Sequence, residues 1–355
     1  MRLIVQKYGG TSVGSPERIR NVARNILATQ KDGCRVVAVI SAMAGVTDNL
    51  IKLATETSPQ PAEREMDLLL ATGEQAAIAL VAMAINALGG KAISLTGAQA
   101  GILTDRAHTR AKIANITPRQ IHALLAEDYM VIVAGFQGQD ADGETTTLGR
   151  GGSDLTAIAL AGALEADACQ ILTDVDGVFT CDPRVVSDAK KLDEVSYDEL
   201  LEMAGSGSKV MQSRAVEFAK KFGVEFEVRS SLKNAPGTIA KEETANMEDI
   251  VIRGISLERN QAKVTIDDVS DKPGIAARIF STIARGNISV DMIVQSVSEH
   301  GTTDVSFTIH ENDLPRATEL LTPLVQEVQA AGLITKGGVA KLSVVGIGMR
   351  SHSGV

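Results

Sequence analysis

Met1-Arg-Leu-Ile-Val-Gln-Lys-Tyr-Gly-Gly-Thr-Ser-Val-Gly14, at the head of the chain, is the stretch that decides the fold. Leu3, Ile4 and Val5 suit a strand buried on both faces, as in a parallel sheet. Gly9 and Gly10 let backbone N–H groups approach an anion closely, and Ser15-Pro16 caps a helix that follows at once. This order places Lys7 at the carboxyl end of the strand, where open α/β sheets bind ligands. Alone, the turn reads either as a phosphate grip or as an ordinary Gly-Gly turn beside a solvated lysine. It is not a Walker loop, because Gly-x-x-x-x-Gly-Lys-Ser/Thr is absent.

Further short β-branched runs follow at 36–40, 92–95, 130–134, 170–173 and 224–228. Helical periodicity fills 16–30, 62–88, 118–127, 154–164 and 209–222. The alternation predicts a largely parallel sheet with helices on both faces, one α/β unit from residue 1 to about 240. Residues 232–249, with Asn234, Pro236, Gly237 and the Lys241-Glu242-Glu243 run, read as a linker. Beyond it the pattern is strand 262–266, helix 275–285, strands 288–297 and 303–309, and helix 314–331, a βαββα module. Ala262-Lys-Val-Thr-Ile266 recurs as Ala340-Lys-Leu-Ser-Val344 at an offset of 78 residues, so a second copy of the module begins and then stops at Val355. A module cannot bury its sheet face with one strand, so the chain reads as a fragment of a longer protein.

The chain has 355 residues, 44% hydrophobic and 22% charged, enough for two or three globular domains. A net charge of -9 argues against nucleic acid or an anionic membrane as the main partner. Aromatics are 3% with no tryptophan, which disfavours base-stacking platforms. Cys34, Cys169 and Cys181 form no metal-ligand pattern and read as reduced thiols. The N-terminus lacks the pattern of a signal peptide, and the apolar run 76–88 is too short to span a bilayer. A cytoplasmic location is therefore expected.

Four further segments carry candidate chemistry. Ser41-Ala-Met-Ala-Gly-Val-Thr47 follows a strand and offers two hydroxyls to a polar ligand, or is a plain strand-to-helix turn. In Ala71-Thr-Gly-Glu-Gln75, Glu74 sits in an apolar helical pattern and needs a partner, either a ligand's ammonium group or an arginine. Leu148-Gly-Arg-Gly-Gly-Ser-Asp154 opens a helix, with Ser153 read as its N-cap; free N–H groups beside the Arg150 guanidinium form a carboxylate or phosphate site. Thr173-Asp-Val-Asp-Gly-Val-Phe-Thr-Cys-Asp-Pro-Arg184 is a turn-rich loop without the remaining acidic positions of an EF-hand. Gly207-Ser-Lys-Val-Met211 adds a second lysine at an expected helix start. Two lysines, glycine-rich anion sites and no nucleophile–base pair favour phosphoryl transfer, which needs positioning and charge neutralisation more than covalent chemistry.

Together with Lys7-Tyr-Gly-Gly-Thr-Ser12 and Asp182-Pro-Arg184, these motifs in this order resemble those of aspartate kinases of the amino acid kinase superfamily, and the tail resembles ACT domains. The resemblance implies a three-layer αβα kinase fold over 1–245, a ferredoxin-like first ACT domain over 246–335, and a truncated second one over 336–355. It implies ATP with Mg2+ and L-aspartate as substrates, with Lys7, Asp154 and Lys209 as catalytic residues. Ser41, Thr47, Glu74, Arg150 and Ser153 would bind aspartate. Lys7, Tyr8, Gly9, Gly10, Thr173, Asp174, Phe179, Thr180, Asp182, Pro183, Arg184, Lys209 and Val210 would hold the nucleotide. Asp271, Gly274, Ile275, Ala276, Asn287 and Gln295 would receive an effector, lysine or threonine or both, and the ACT domains would pair chains into a homodimer or higher oligomer.

Overall fold

In the computed structural model the described residues are 1–207, 211–233, 235–242, 252–297 and 301–346. They divide into one compact unit, Met1–Gly254 joined by Val345, and a second, Ile255–Val344.

The first unit is wound around eight strands: β1 (Leu3–Tyr8), β2 (Arg35–Ile40), β3 (Ala92–Leu95), β6 (Met130–Ala134), β9 (Ala168–Thr173), β10 (Glu194–Ser196), β11 (Phe226–Ser230) and β12 (Thr238–Lys241), in the order β10-β12-β11-β9-β1-β2-β6-β3. Every pairing is parallel except β11 with β12. The helices are α1 (Pro16–Lys31), α2 (Val46–Thr57), α3 (Glu63–Ala87), α4 (Arg119–Ala126), α5 (Gly152–Ala163), α6 (Tyr197–Gly205) and α7 (Ser213–Phe222). The sheet separates two cores, as the mixed-face burial of its strands requires. Ile26, Ile40, Val81, Ile85 and Ile132 pack on one side. Val5, Val39, Val133, Ile158, Leu160 and Val216 pack on the other. Ser15 caps α1 by accepting from the Arg18 N–H, with Pro16 at the first helical position.

Sequence periodicity did not show the second sheet of this unit, β5-β4-β7-β8, built from β4 (Ile102–Thr104), β5 (Ile113–Ile116), β7 (Gln137–Gln139) and β8 (Thr145–Thr147). These strands are three or four residues long, and β7 and β8 are built of glutamine, glycine and threonine, so the set is too short and too polar to carry an alternating apolar signal. The strand expected at 224–228 runs instead from Phe226 to Ser230, in register with β9. The apolar run 76–88 is the end of the 25-residue helix α3, which by length and composition is long enough to cross a membrane. In this fold half of its most apolar window is buried, and Ile78, Val81 and Ile85 serve the core beneath the sheet.

The second unit contains β13 (Gly254–Ser270), α8 (Ile275–Arg285), β14 (Val290–Val297), β15 (Thr302–His310), α9 (Leu314–Glu327) and β16 (Gly332–Val345), with sheet order β14-β15-β13-β16. Val264, Ile266, Ile279, Ile283, Phe307 and Leu321 form its core. The βαββα order is completed by a further strand: residues 340–344, expected to open a second module, lie within β16, which hydrogen-bonds beside β13. The glycines at 332, 337 and 338 hid the first half of that strand.

Candidate active site

The carboxyl ends of β1, β2 and β9 meet at one place, and backbone hydrogen bonds lace their turns together. Gly9 donates to the Leu172 carbonyl (3.2 Å), Ser41 to Tyr8 (3.1 Å), and Ala44 to Gly10 (3.1 Å). Gly10 has to be glycine: a Cβ there would stand 2.6 Å from the Ala42 carbonyl oxygen. Lys7 reaches Asp154 at the start of α5, Nζ to Oδ1 2.6 Å, with both side chains nearly buried at 11% and 12% exposure. At such burial an unpaired charge is costly, so each fixes the other.

Glu74 lies deep within α3 rather than at a strand end, and is 4% exposed. Its Oε1 accepts the Ala42 N–H at 3.1 Å, while Oε2 is buried with no hydrogen-bond partner among the described residues. Burial pushes its pKa up to about 7, against which the Ala42 hydrogen bond pulls only in part. Among the described residues neither of its oxygens takes an arginine. This leaves a carboxylate position shaped for a cation beside the Ser41–Ala42 turn.

The N-cap of α5 is Gly151 (φ 70°), not Ser153. Ser153 sits in the first helical turn, where its Oγ would be 2.7 Å from any Cβ at Gly135, and Gly135 in turn donates to the Ile40 carbonyl. A left-handed residue is needed to turn the chain into the helix, and glycine adopts it without strain. Arg150 is solvent-exposed just before that turn, and Thr47 is half-buried in the first turn of α2.

On the far side of β1, Thr173 ends β9; its carbonyl accepts the Ser231 N–H (2.7 Å), and its hydroxyl donates to Asp174 (3.1 Å). Ser231 and Ser12 share a 2.7 Å hydroxyl contact. In the exposed loop beyond, Phe179 bridges Lys191, Thr180 exchanges hydrogen bonds with Lys190, and Asp182 accepts both from the Arg184 backbone (2.9 Å) and from its guanidinium (2.8 and 3.0 Å), with Pro183 between them. Tyr8 is fully buried, and its hydroxyl donates to Gln6. Lys209 and Val210 lie outside the described residues.

Sequence reading missed three supports. Lys233 pairs with Asp176 (2.6 Å) across the turn after β9. Arg214 donates to the Leu148 and Ala111 carbonyls (2.6 Å each). Asp67 is fully buried on α3 and holds the 108–109 turn. Only Asp67 had a visible signal: a charge seven residues before Glu74, hence on the same helix face.

Among the described residues no group of three or more His, Cys, Asp or Glu side chains is placed to hold a metal ion.

In the second unit, Asp271, Gly274, Ile275, Ala276 and Gln295 line a cavity of about 410 Å³ between the turn after β13 and strands β14 and β15. Gly274 (φ 96°) caps α8 at its edge. Asn287, exposed after α8 (φ 56°), is not part of that lining.

Comparison with known proteins agrees with this layout. Residues 2–230 match the amino acid kinase family, and residues 267–322 match the ACT domain. The aspartate kinase of Stutzerimonas stutzeri is 51% identical over 356 residues, covering 100% of this chain and 86% of that protein. The solved structure of E. coli aspartokinase III in complex with aspartate and ADP is 28% identical, with a TM-score of 0.79 over 99% of this chain and 89% of that one. The same enzyme in complex with lysine and aspartate is similar at a TM-score of 0.78 and 29% identity, covering 97% of this chain and 87% of that one. A family match over most of the first unit, an ACT match in the second and 51% identity along the whole chain place it together: the chain belongs to the aspartate kinases of the amino acid kinase family.

Proposed function

We propose that this chain transfers the γ-phosphoryl group of ATP to the side-chain carboxylate of L-aspartate, giving 4-phospho-L-aspartate, the first step toward lysine, threonine and methionine. The observation that carries the substrate side is the buried, unpartnered Oε2 of Glu74 next to the Ser41–Ala42 turn. An amino acid's ammonium group satisfies that oxygen and repays the cost of keeping it ionised.

Arg150 meets the α-carboxylate as a planar fork, and Ser41, Thr47 and Ser153 position the rest of the molecule. One oxygen of the aspartate side chain attacks the γ-phosphorus, the bond to the β–γ bridging oxygen breaks, and ADP leaves. The attacking carboxylate is already ionised, so the reaction needs no general base, in keeping with the absence of a nucleophile–base pair from the motifs. Lys7, held by Asp154, neutralises charge on the transferred group from one side; Lys209 is assigned the other. Gly10 offers its N–H to the phosphates, Gly9, whose own N–H is held by the Leu172 carbonyl, lets them approach closely, and Tyr8, Thr173, Asp174, Phe179, Thr180, Asp182, Pro183, Arg184 and Val210 form the rest of the nucleotide site. Mg2+ bound to the nucleotide would supply charge neutralisation on its phosphates.

The cavity at Asp271 and Gln295 is read as the effector site, with lysine as the first candidate because a similar enzyme is solved with lysine bound. Threonine and the role of Asn287 belong to the same reading. Edge strand β14 exposes Met292, Ile293 and Val294, which supports pairing of ACT units in a homodimer or larger assembly. We assign the enzyme to the cytoplasm on its class as a biosynthetic kinase. The test is hydroxylamine trapping: with ATP, L-aspartate yields a hydroxamate, whereas glutamate and N-acetylglutamate do not. Turnover of another acid without turnover of aspartate refutes the assignment.

A further inference from the structure

Asp67 is a wholly buried carboxylate that the reaction described above does not use. Both of its oxygens accept the Thr109 N–H, at 2.9 and 3.0 Å, Oδ2 lies 2.8 Å from His108 Nδ1, and the Thr147 hydroxyl donates to Oδ1. The residue so gripped is in an unusual state. Thr109 has φ 64°, a left-handed conformation that a β-branched side chain adopts only under strain. Backbone strain of this kind persists where surrounding contacts over-determine it, and it concentrates at functional sites.

What lies against the strained turn gives it a role. The Thr109 carbonyl oxygen is 3.2 Å from the point a Cβ on Gly149 would occupy, so the Gly149–Arg150 backbone rests directly on the turn. Thr147, the other partner of Asp67, is the last residue of β8, and its carbonyl accepts the Ala111 N–H at 2.9 Å. One carboxylate therefore holds both walls of the bed from which Arg150 projects. A core that needed only stability would be better served by an apolar residue.

We propose that Asp67 is a positioning residue for substrate recognition, fixing through Thr109 and Thr147 the direction from which Arg150 meets the α-carboxylate of the amino acid. This rests on the assignment of Arg150 made above. The experiment measures KM for L-aspartate, for ATP and for the α-amide of aspartate, which keeps the reacting carboxylate but lacks the α-carboxylate, in wild type and variants. Asp67→Asn keeps the size and loses the full acceptor set, so KM for aspartate rises about tenfold while KM for ATP and for the α-amide stays within about twofold. Thr147→Val, which removes a single donor, moves the same constant in the same direction by about threefold, and it carries the test if Asp67→Asn does not fold. Equal rises for aspartate and ATP, or for aspartate and its α-amide, overturn the proposal in favour of a purely structural role. Arg150→Ala separates the two layers: if it raises KM for aspartate and the Asp67 and Thr147 variants do not, positioning alone is refuted. If it leaves that KM unchanged, the assignment of Arg150 and this inference fall together.

Discussion

Glu74 supports a prediction that links burial to a measurable proton. Free in solution its carboxyl titrates near 4.5, and in the folded protein burial raises this to about 7. The folded protein therefore binds a proton that the unfolded chain has released between those two values, and stability contributed by the neutral form is lost as pH rises from about 4.5 through about 7. Ionising Glu74 in the folded protein above that range costs about 3 kcal/mol, since each tenfold change in a proton-binding constant corresponds to roughly 1.4 kcal/mol. When the ammonium group of aspartate pairs with Oε2, the carboxylate form is favoured and the proton leaves. At about pH 6.5 a site titrating near 7 is about three-quarters protonated, so aspartate binding releases about 0.7 proton, and apparent affinity falls about tenfold between about pH 8 and pH 6. Isothermal titration of L-aspartate in buffers of different ionisation enthalpy reads this number directly. Glu74→Gln has no proton to release, and its stability profile flattens between about pH 4.5 and 7. Heat independent of buffer in the wild type, or the same release from Glu74→Gln, refutes the reasoning.

Two further outcomes follow from close contacts. Gly10→Ala drives a methyl group to 2.6 Å from the Ala42 carbonyl, so the two lysine-side turns must separate; kcat/KM falls by about a hundredfold, with a stability loss of about 1–3 kcal/mol, read from kinetics and thermal melting. Arg253 donates from Nε to Glu199 at 2.7 Å, with Glu199 2% exposed and also accepting the Ser196 N–H at the start of α6. Arg253→Ala leaves that carboxylate buried without its cation, and the first unit melts on the order of 10 °C lower, from a loss of about 3 kcal/mol. An unchanged melting temperature rejects the pair as a support of that unit.

The strands that the chain states most plainly are those whose apolar residues face two cores. Residues 92–95 and 130–134 read as strands in sequence and are β3 and β6. The second sheet stayed hidden because Gln137–Gln139 and Thr145–Thr147 are held by polar contacts, such as the 2.6 Å bond between the Thr104 and Thr146 hydroxyls, and no period of apolar residues marks them. Ser153 reads as a cap because a serine just ahead of an apolar helical run is the usual signal, whereas a left-handed glycine makes this entry.

Local chemistry written in consecutive residues was legible from the sequence alone: the strand that carries Lys7, the glycines that follow it, and the order of turns that marks the family. Partnership was decided only by the tertiary structure. In sequence Glu74 is open to an arginine or a ligand, and Asp67, marked only by sharing its helix face, carries nothing that names the partners it takes. Lys7 meets Asp154 across 147 positions, and Asp67 meets Thr147 across 80. Such pairings depend on which strand ends the sheet brings side by side, and a buried charge can exist only after that sheet has closed around it.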